Sequence, residues 1–271
     1  IPEHRLPRVI LDNDLRFIDK GRAFIWTSER DGWEHAYRIS RDGRSVTLLT
    51  PGDYDILGLR GVDERGGWLY FMASPEHPAR RYLYRARLDG KGKPERVTPA
   101  AFTGVNGYDI APDGRHAWHT YHNFTTPPVV SLVALPAHQV VRTVVANERL
   151  KARVAQLRRG TVEFTSIDIG GGVALSAWVM RPVDFDPAQK YPVLFHVYGG
   201  PGSQTVVDSW GGPQYLWHTL LTQQGYAVVS VDNRGTGARG RDWRKIIHGR
   251  MGVVEAEDQA AAARVVGRWN W

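Results

Sequence analysis

The 271-residue sequence predicts β-propeller blades, all-β and forming an incomplete ring, followed by an α/β domain. Three observations predict this. Apolar and aromatic clusters recur every 45 to 48 residues through the first half. Asp-Gly turns punctuate the same stretch. After about residue 155 the pattern changes to apolar strands alternating with helical segments.

The clusters are Phe24-Ile25-Trp26, Leu69-Tyr70-Phe71 and Ala117-Trp118-His119. A second track runs in phase with them. Ala36-Tyr37-Arg38 returns as Leu83-Tyr84-Arg85, and Thr50 returns 48 residues later as Thr98. The turn tetrads are Glu29-Arg30-Asp31-Gly32, Ser40-Arg41-Asp42-Gly43 and Ala111-Pro112-Asp113-Gly114, with Leu88-Asp89-Gly90 as a shorter copy. Aspartate before glycine, set between apolar stretches, marks a hairpin because glycine takes the positive φ such turns require. Four short strands in a unit of about 45 to 50 residues describe a propeller blade. Residues 1–157 hold about three blades, and a ring closes with at least about four. The earlier part of the ring is therefore expected upstream of Ile1. A β-sandwich with coincidental spacing is the alternative that the repeat leaves open.

Residues 158–271 read differently. Phe164–Asp168 and Leu175–Met180 flank Gly170-Gly171-Gly172, a hairpin pattern. Pro192–Tyr198 is a buried strand running into Gly199-Gly200-Pro201-Gly202. Gln214–Gln224 carries Leu216, Trp217, Leu220 and Leu221 on one helical face, with Gly225 as a stop. Tyr226–Val231 is a second buried strand, and Val253–Val266 an alanine-rich helix. Strand, helix, strand, helix predicts a parallel sheet with crossover helices.

Composition narrows the function classes. At 42% hydrophobic and 23% charged, the chain is an ordinary globular sequence. The absence of cysteine excludes a disulfide framework, thiolate metal sites and a cysteine nucleophile. The net charge of +7 is spread over short clusters such as Arg80-Arg81 and Arg158-Arg159. That is a solvated basic surface rather than a nucleic-acid site. No apolar run reaches the roughly 18 residues of a membrane span. The opening Ile-Pro-Glu-His-Arg is neither a signal peptide nor a natural start, so the chain is expected to be a piece of something longer.

Gly235-Thr236-Gly237-Ala238-Arg239-Gly240 matches the dinucleotide fingerprint and follows a strand. However, Asp232, Asn233 and Arg234 separate it from the apolar run, and the acids some 20 residues on lie in a helix. A glycine-rich connection is preferred, and no cofactor is assigned. His116, His119 and His122 are three apart on strand-type sequence, where alternation sends His116 and His119 to opposite faces. They read as surface histidines, and no metal site is assigned. None of the ten serines has glycine at both −2 and +2, so the chain contains no nucleophile elbow. Tyr198 stands out. It ends a strand where α/β sheets bind ligands, and the following glycines leave its hydroxyl room to project towards a developing oxyanion. A core tyrosine with a satisfied hydroxyl is the competing reading.

Lys190-Tyr191-Pro192-Val193-Leu194-Phe195-His196-Val197-Tyr198-Gly199-Gly200-Pro201-Gly202-Ser203-Gln204 resembles the dipeptidyl peptidase IV branch of the prolyl oligopeptidase family. The likeness continues through Val231–Gly237 and Gly252–Gln259, and upstream through Ser28–Gly32 and Leu48–Gly52. The resemblance implies serine peptidases with a propeller capping an α/β-hydrolase domain, here its N-terminal half. They remove N-terminal dipeptides with proline or alanine second, acting on peptide substrates without metal or organic cofactor. It places the family's oxyanion tyrosine on Tyr198. By looser alignment, it places a substrate-lining phenylalanine on Phe17, within Leu15–Gly21.

The nucleophilic serine and the triad aspartate and histidine are expected beyond Trp271, and the amine-binding glutamates upstream of Ile1. The chain alone is thus expected to be inactive. An acylaminoacyl peptidase or oligopeptidase of the same family, or a non-catalytic binding module, are the alternatives. Relatives imply a homodimer and a periplasmic or secreted location.

Overall fold

The computed structural model describes residues 14–271. They divide into two compact units, one running to Asn147 and including Ala238–Asp242, the other comprising Glu148–Gly237 and Trp243–Trp271.

The first unit contains three four-stranded antiparallel sheets, each an up-and-down meander. The first is β1 (Arg16–Ile18), β2 (Ala23–Ser28), β3 (His35–Ser40) and β4 (Val46–Leu48). The second is β5 (Ile56–Asp63), β6 (Trp68–Ala73), β7 (Tyr82–Arg87) and β8 (Glu95–Arg96). The third is β9 (Val105–Ile110), β10 (His116–Asn123), β11 (Thr126–Ala134) and β12 (Gln139–Val145). These are unclosed propeller blades, as the period predicts, and the sandwich alternative falls away.

Each element of the sequence repeat has a physical job. The recurrent apolar clusters lie on the second strand of each blade, β2, β6 and β10. Strand alternation divides the middle blade between two cores. Leu69, Phe71, Tyr82 and Tyr84 pack with Ile25 and Ala36 of the first blade. Tyr70, Met72 and Leu83 pack with Tyr108, Ala117 and Val133 of the third. The in-phase threonines do identical work. Ala36 N–H donates to buried Thr50 Oγ1 at 2.9 Å, and Leu83 N–H to buried Thr98 Oγ1 at 2.8 Å. The tetrads are four copies of one turn. Glycine N–H donates three residues back at Gly32, Gly43, Gly90 and Gly114, and each glycine has positive φ. The aspartate before each glycine accepts from the N–H two residues on, at 2.9 to 3.4 Å.

His119 corrects the surface reading of the histidine triplet. It is buried and stacks on Tyr108, with ring centroids 4.7 Å apart. Its place in the repeat is that of Phe71, the third residue of the cluster and a fully buried ring, so imidazole stands where the second blade has a core aromatic. His116, by contrast, is exposed, as alternation required.

The second unit begins with α1 (Glu148–Ala155), a helix in a stretch read as strand and turn. Then follow β13 (Val162–Asp168), β14 (Ala174–Met180), β15 (Val193–His196), α2 (Pro213–Gln223), β16 (Ala227–Asp232), α3 (Arg241–Lys245) and α4 (Val254–Val266). The sheet order is β13-β14-β16-β15. Only β15 and β16 are parallel, joined through α2, while the β13–β14 hairpin joins β16 antiparallel. The expected parallel sheet is therefore mixed, because the hairpin adds to it instead of standing apart. The buried face of Ile167, Leu175, Ala177, Val229 and Val231 is covered by Ala262 and Val266 of α4.

Two further expectations change. The strand ending at Tyr198 stops at His196 and is half-buried, because β15 pairs only with β16 among the described residues. The inward face of α2 is Tyr215, His218, Thr219 and Thr222, whereas Leu216, Trp217 and Leu220 are exposed. A two-residue apolar pair at i, i+4 defines a stripe but not which stripe is buried. The polar groups on the buried face are satisfied: Thr219 Oγ1 donates to Tyr215 O, Thr222 Oγ1 to Thr219 O, and Gln214 meets His218 Nε2.

Candidate functional site

Tyr198 lies two residues beyond β15, on the turn leading into Gly199–Gly202, and is 72% exposed. It is not a core tyrosine. Its ring rests over Gly200: a Cβ there would lie 2.6 Å from the Tyr198 Cε1 atom. The turn closes on itself where Ser203 Oγ donates to Gly200 O at 2.7 Å.

The residues after β16 hold that turn from the other side. Gly202 N–H donates to Gly235 O at 2.9 Å, and Gly237 N–H to Ser203 O at 3.3 Å. Asn233 Nδ2 donates to Gly199 O at 3.2 Å. Downstream, the Asp232 carboxylate accepts from Thr205 N–H, Thr205 Oγ1 and Val206 N–H at 2.8 to 3.2 Å. Burial pushes the Asp232 carboxyl above the usual carboxylate range, and these donors oppose that rise. Trp178 Nε1 donates to Thr205 O at 3.0 Å, fixing the far end of the loop to β14.

The clamp is itself anchored to α4. Arg234 makes a bidentate pair with Asp258, with Nη2 2.6 Å from Oδ1 and Nε 3.0 Å from Oδ2, and its own N–H donates to the same carboxylate. The Asp258 side chain is almost fully buried. Neighbouring Gln259 donates through Nε2 to Val231 O and Asn233 Oδ1.

This geometry explains the apparent dinucleotide motif. Gly237 has no room for a side chain, since a Cβ would lie 2.7 Å from Gly202 O. Gly240 belongs to the first unit, where its N–H donates to the buried carboxylate of Asp55 at 2.9 Å. The glycines permit close backbone approach to protein, and no phosphate cradle is needed to account for them.

Phe17 lies on β1 opposite Phe24, with ring centroids 6.2 Å apart, and is 64% exposed. It is thus an exposed aromatic rather than a blade-core residue. Tyr198 and Phe17 belong to different compact units. Among the described residues, no group of three His, Asp or Glu side chains is placed to hold a metal ion. No helix among them is long and apolar enough to cross a membrane. The sequence pointed to Tyr198 but missed Asp232, Asn233, Asp258 and Gln259 as its support. A polar triplet closing an apolar strand was the available signal, since polar groups at a buried strand end need partners.

Propeller blades in sequence before a mixed α/β sheet, with an exposed phenol on a rigid turn beyond a parallel strand, define a propeller-bearing α/β-hydrolase-type protein. Residues 9–128 match the family described as the dipeptidyl peptidase IV (DPP IV) N-terminal region, and residues 214–270 match the prolyl oligopeptidase family. The chain is 37% identical over 270 residues to a probable dipeptidyl-aminopeptidase B of Emericella nidulans, covering 95% of this chain and 28% of that protein. It is 29% identical over 256 residues to dipeptidyl peptidase 4 of Trichophyton rubrum, covering 92% of this chain and 32% of the relative. The crystal structure of Porphyromonas gingivalis dipeptidyl peptidase 4 superposes with a TM-score of 0.88 at 34% identity, covering 95% of this chain and 35% of that one. The chain spans about a third of the length of the curated relatives it matches. It belongs to the prolyl oligopeptidase family of serine peptidases, in the dipeptidyl peptidase IV branch.

Proposed function

We propose that the full-length protein carrying this chain is a serine exopeptidase that releases N-terminal dipeptides, with proline or alanine preferred as the second residue. The exposed, backbone-clamped phenol of Tyr198 is the observation that carries this reading. In the proposed mechanism, a serine outside this sequence attacks the carbonyl carbon after the second residue, passing its proton to a histidine oriented by an aspartate. As the carbonyl π bond breaks, charge collects on oxygen, and the Tyr198 O–H donates to it. The donor is most effective at that moment because the charged oxygen accepts a stronger hydrogen bond than the neutral carbonyl. Collapse of the tetrahedral intermediate expels the amine and leaves an acyl-enzyme that water cleaves. Phe17, an exposed apolar ring, is proposed to contact substrate. Family likeness also supports a homodimer and an exported location as proposals, with residues 1–157 as blades and 158–271 as the start of the catalytic domain.

The isolated 271-residue chain has no serine in a nucleophile elbow and is proposed to be inactive. A fluorophosphonate probe therefore leaves it unlabelled, and labelling of any of its ten serines contradicts this. In the full-length protein, Tyr198→Phe lowers kcat on an X-Pro-nitroanilide by about 10²–10³, or ~2.7–4 kcal/mol. KM changes much less, because the lost donor acts on charge that develops only in the transition state. The exposed ring keeps its seat over Gly200, so the melting temperature is preserved. A kcat loss below about tenfold removes Tyr198 from the oxyanion role.

A further inference from the structure

We infer that Asn233 is a positioning residue for the Tyr198 hydroxyl, acting through the backbone of Gly199; the inference rests on the proposed role of Tyr198. Among the described residues the Tyr198 hydroxyl has no hydrogen-bond partner, so its aim is set by the backbone that carries it and by the seat of its ring on Gly200. Asn233 is the side chain that grips that backbone. It is completely buried at the end of β16. Its Nδ2 donates to Gly199 O at 3.2 Å and to Arg234 O at 2.7 Å. Its Oδ1 lies 2.7 Å from the position a Gly199 Cβ would occupy, so the amide fills the space a side chain there would need. Gly199 has φ +72°, a conformation that favours glycine, and the absent side chain makes room for the amide.

The amide cannot flip without loss. Gln259 Nε2 donates to Asn233 Oδ1 at 3.1 Å, which fixes Nδ2 on the Gly199 side. Gln259 is held in turn by Val231 O, and its neighbour Asp258 by Arg234. Helix α4 therefore orients an amide that orients the Gly199–Gly200 peptide group, one residue beyond Tyr198 and under its ring. A shift of about 1 Å in a reacting group's partner can cost as much as 10²-fold in rate, so a loosened Gly199 is expected to act on catalysis before it acts on binding.

The experiment is a double-mutant cycle in the full-length protein, assayed on an X-Pro-nitroanilide. Asn233→Ala is expected to lower kcat by about tenfold or more with KM within about threefold. In the Tyr198→Phe background the same substitution is expected to change kcat by less than about twofold, because no hydroxyl remains to be aimed. Equal losses in both backgrounds, or a normal kcat for Asn233→Ala, overturn the inference. Gln259→Leu frees the Asn233 amide without touching Gly199 and is expected to give the same dependence on Tyr198 in a weaker form. If neither variant accumulates as folded protein, the network serves the fold and the inference fails. A Tyr198→Phe protein with normal kcat overturns the underlying reading of Tyr198, which that single variant reports separately.

Discussion

Two glycines of the first blade's turns, Gly32 and Gly43, and two around Tyr198, Gly200 and Gly237, are there for opposite reasons. At Gly32 and Gly43 a Cβ would meet nothing within 4 Å. There glycine serves φ, and the turn is completed by residues within four positions of it. At Gly200 and Gly237 a Cβ would strike Tyr198 or the Gly202 carbonyl. There glycine serves space, and at Gly237 the partner is 35 residues away in the chain. The blades are thus a local solution copied three times, whereas the candidate site is one non-local arrangement in which 199–206 and 232–237 fix each other.

The third blade departs from its copies at His119. Burial, and secondarily the nearby His138, lower its pKa to about 3, from an ordinary 6.5. Asn106 uses its Nδ2 on Arg81 O and Phe102 O, so its Oδ1 accepts from His119 Nε2–H and the imidazole is neutral. The unfolded chain then takes up a proton that the fold refuses. The stability His119 contributes is complete above pH 6.5 and is lost as pH falls towards 3. Roughly 3 kcal/mol disappears by pH 4 from this group. His218 in the α/β unit, lowered to about 4 by burial and His196, follows the same sign over a narrower window. Urea midpoints against pH check this, with His119→Leu expected to flatten the acid limb by one proton. An unchanged slope refutes it.

Glycine substitutions sharpen the contrast. Gly237→Ala forces the Gly202 backbone away and is expected to cost about 1–3 kcal/mol, as overpacking does. Gly43→Ala meets open space and costs only the left-handed backbone, about 1–2 kcal/mol. Gly43→Asn should recover most of that loss, because asparagine visits this region readily, while Gly237→Asn should recover none. Equal rescue at both positions, read from denaturant midpoints, would erase the distinction.

The blade threonines test the repeat itself. Thr50→Val leaves the buried Ala36 N–H without its acceptor, an expected loss of about 1–2 kcal/mol. Thr98→Val should cost more, because Thr98 Oγ1 also meets the Tyr108 hydroxyl at 2.9 Å. The reverse order in thermal melts counts against equivalent roles with one added bond. The smallest effect falls on α2. Trp217→Ala is expected to change stability by less than about 0.5 kcal/mol, since that ring is half in solvent. Tyr215→Ala on the inward face should cost several times more, and the opposite result would reinstate the stripe that periodicity favoured.

Repetition and local chemistry made much of this molecule legible in sequence. The three blades follow from clusters 45 to 48 residues apart, and the Asp-Gly turns from hydrogen bonds spanning two or three residues. The exposure of Tyr198 was legible too, because Gly-Gly-Pro-Gly ends the buried run just after it, although the strand itself stops at His196. Other features depended on which surfaces meet, and periodicity is silent on that. Leu216, Trp217 and Leu220 form as good a helical stripe as their buried neighbours, and only packing turned Tyr215 and Thr219 inward. The hairpin β13–β14 joined the β15–β16 sheet through contacts with β16 more than forty residues away. His119 looked like surface until Tyr108 and Asn106 enclosed it. Asn233 and Gln259 looked like an interrupted nucleotide motif and a polar helix position until folding set them against Gly199. Local backbone preferences and apolar periods act over a few residues and survive in sequence. The partners of buried polar groups come from distant segments, so their roles were decided only when the chain folded.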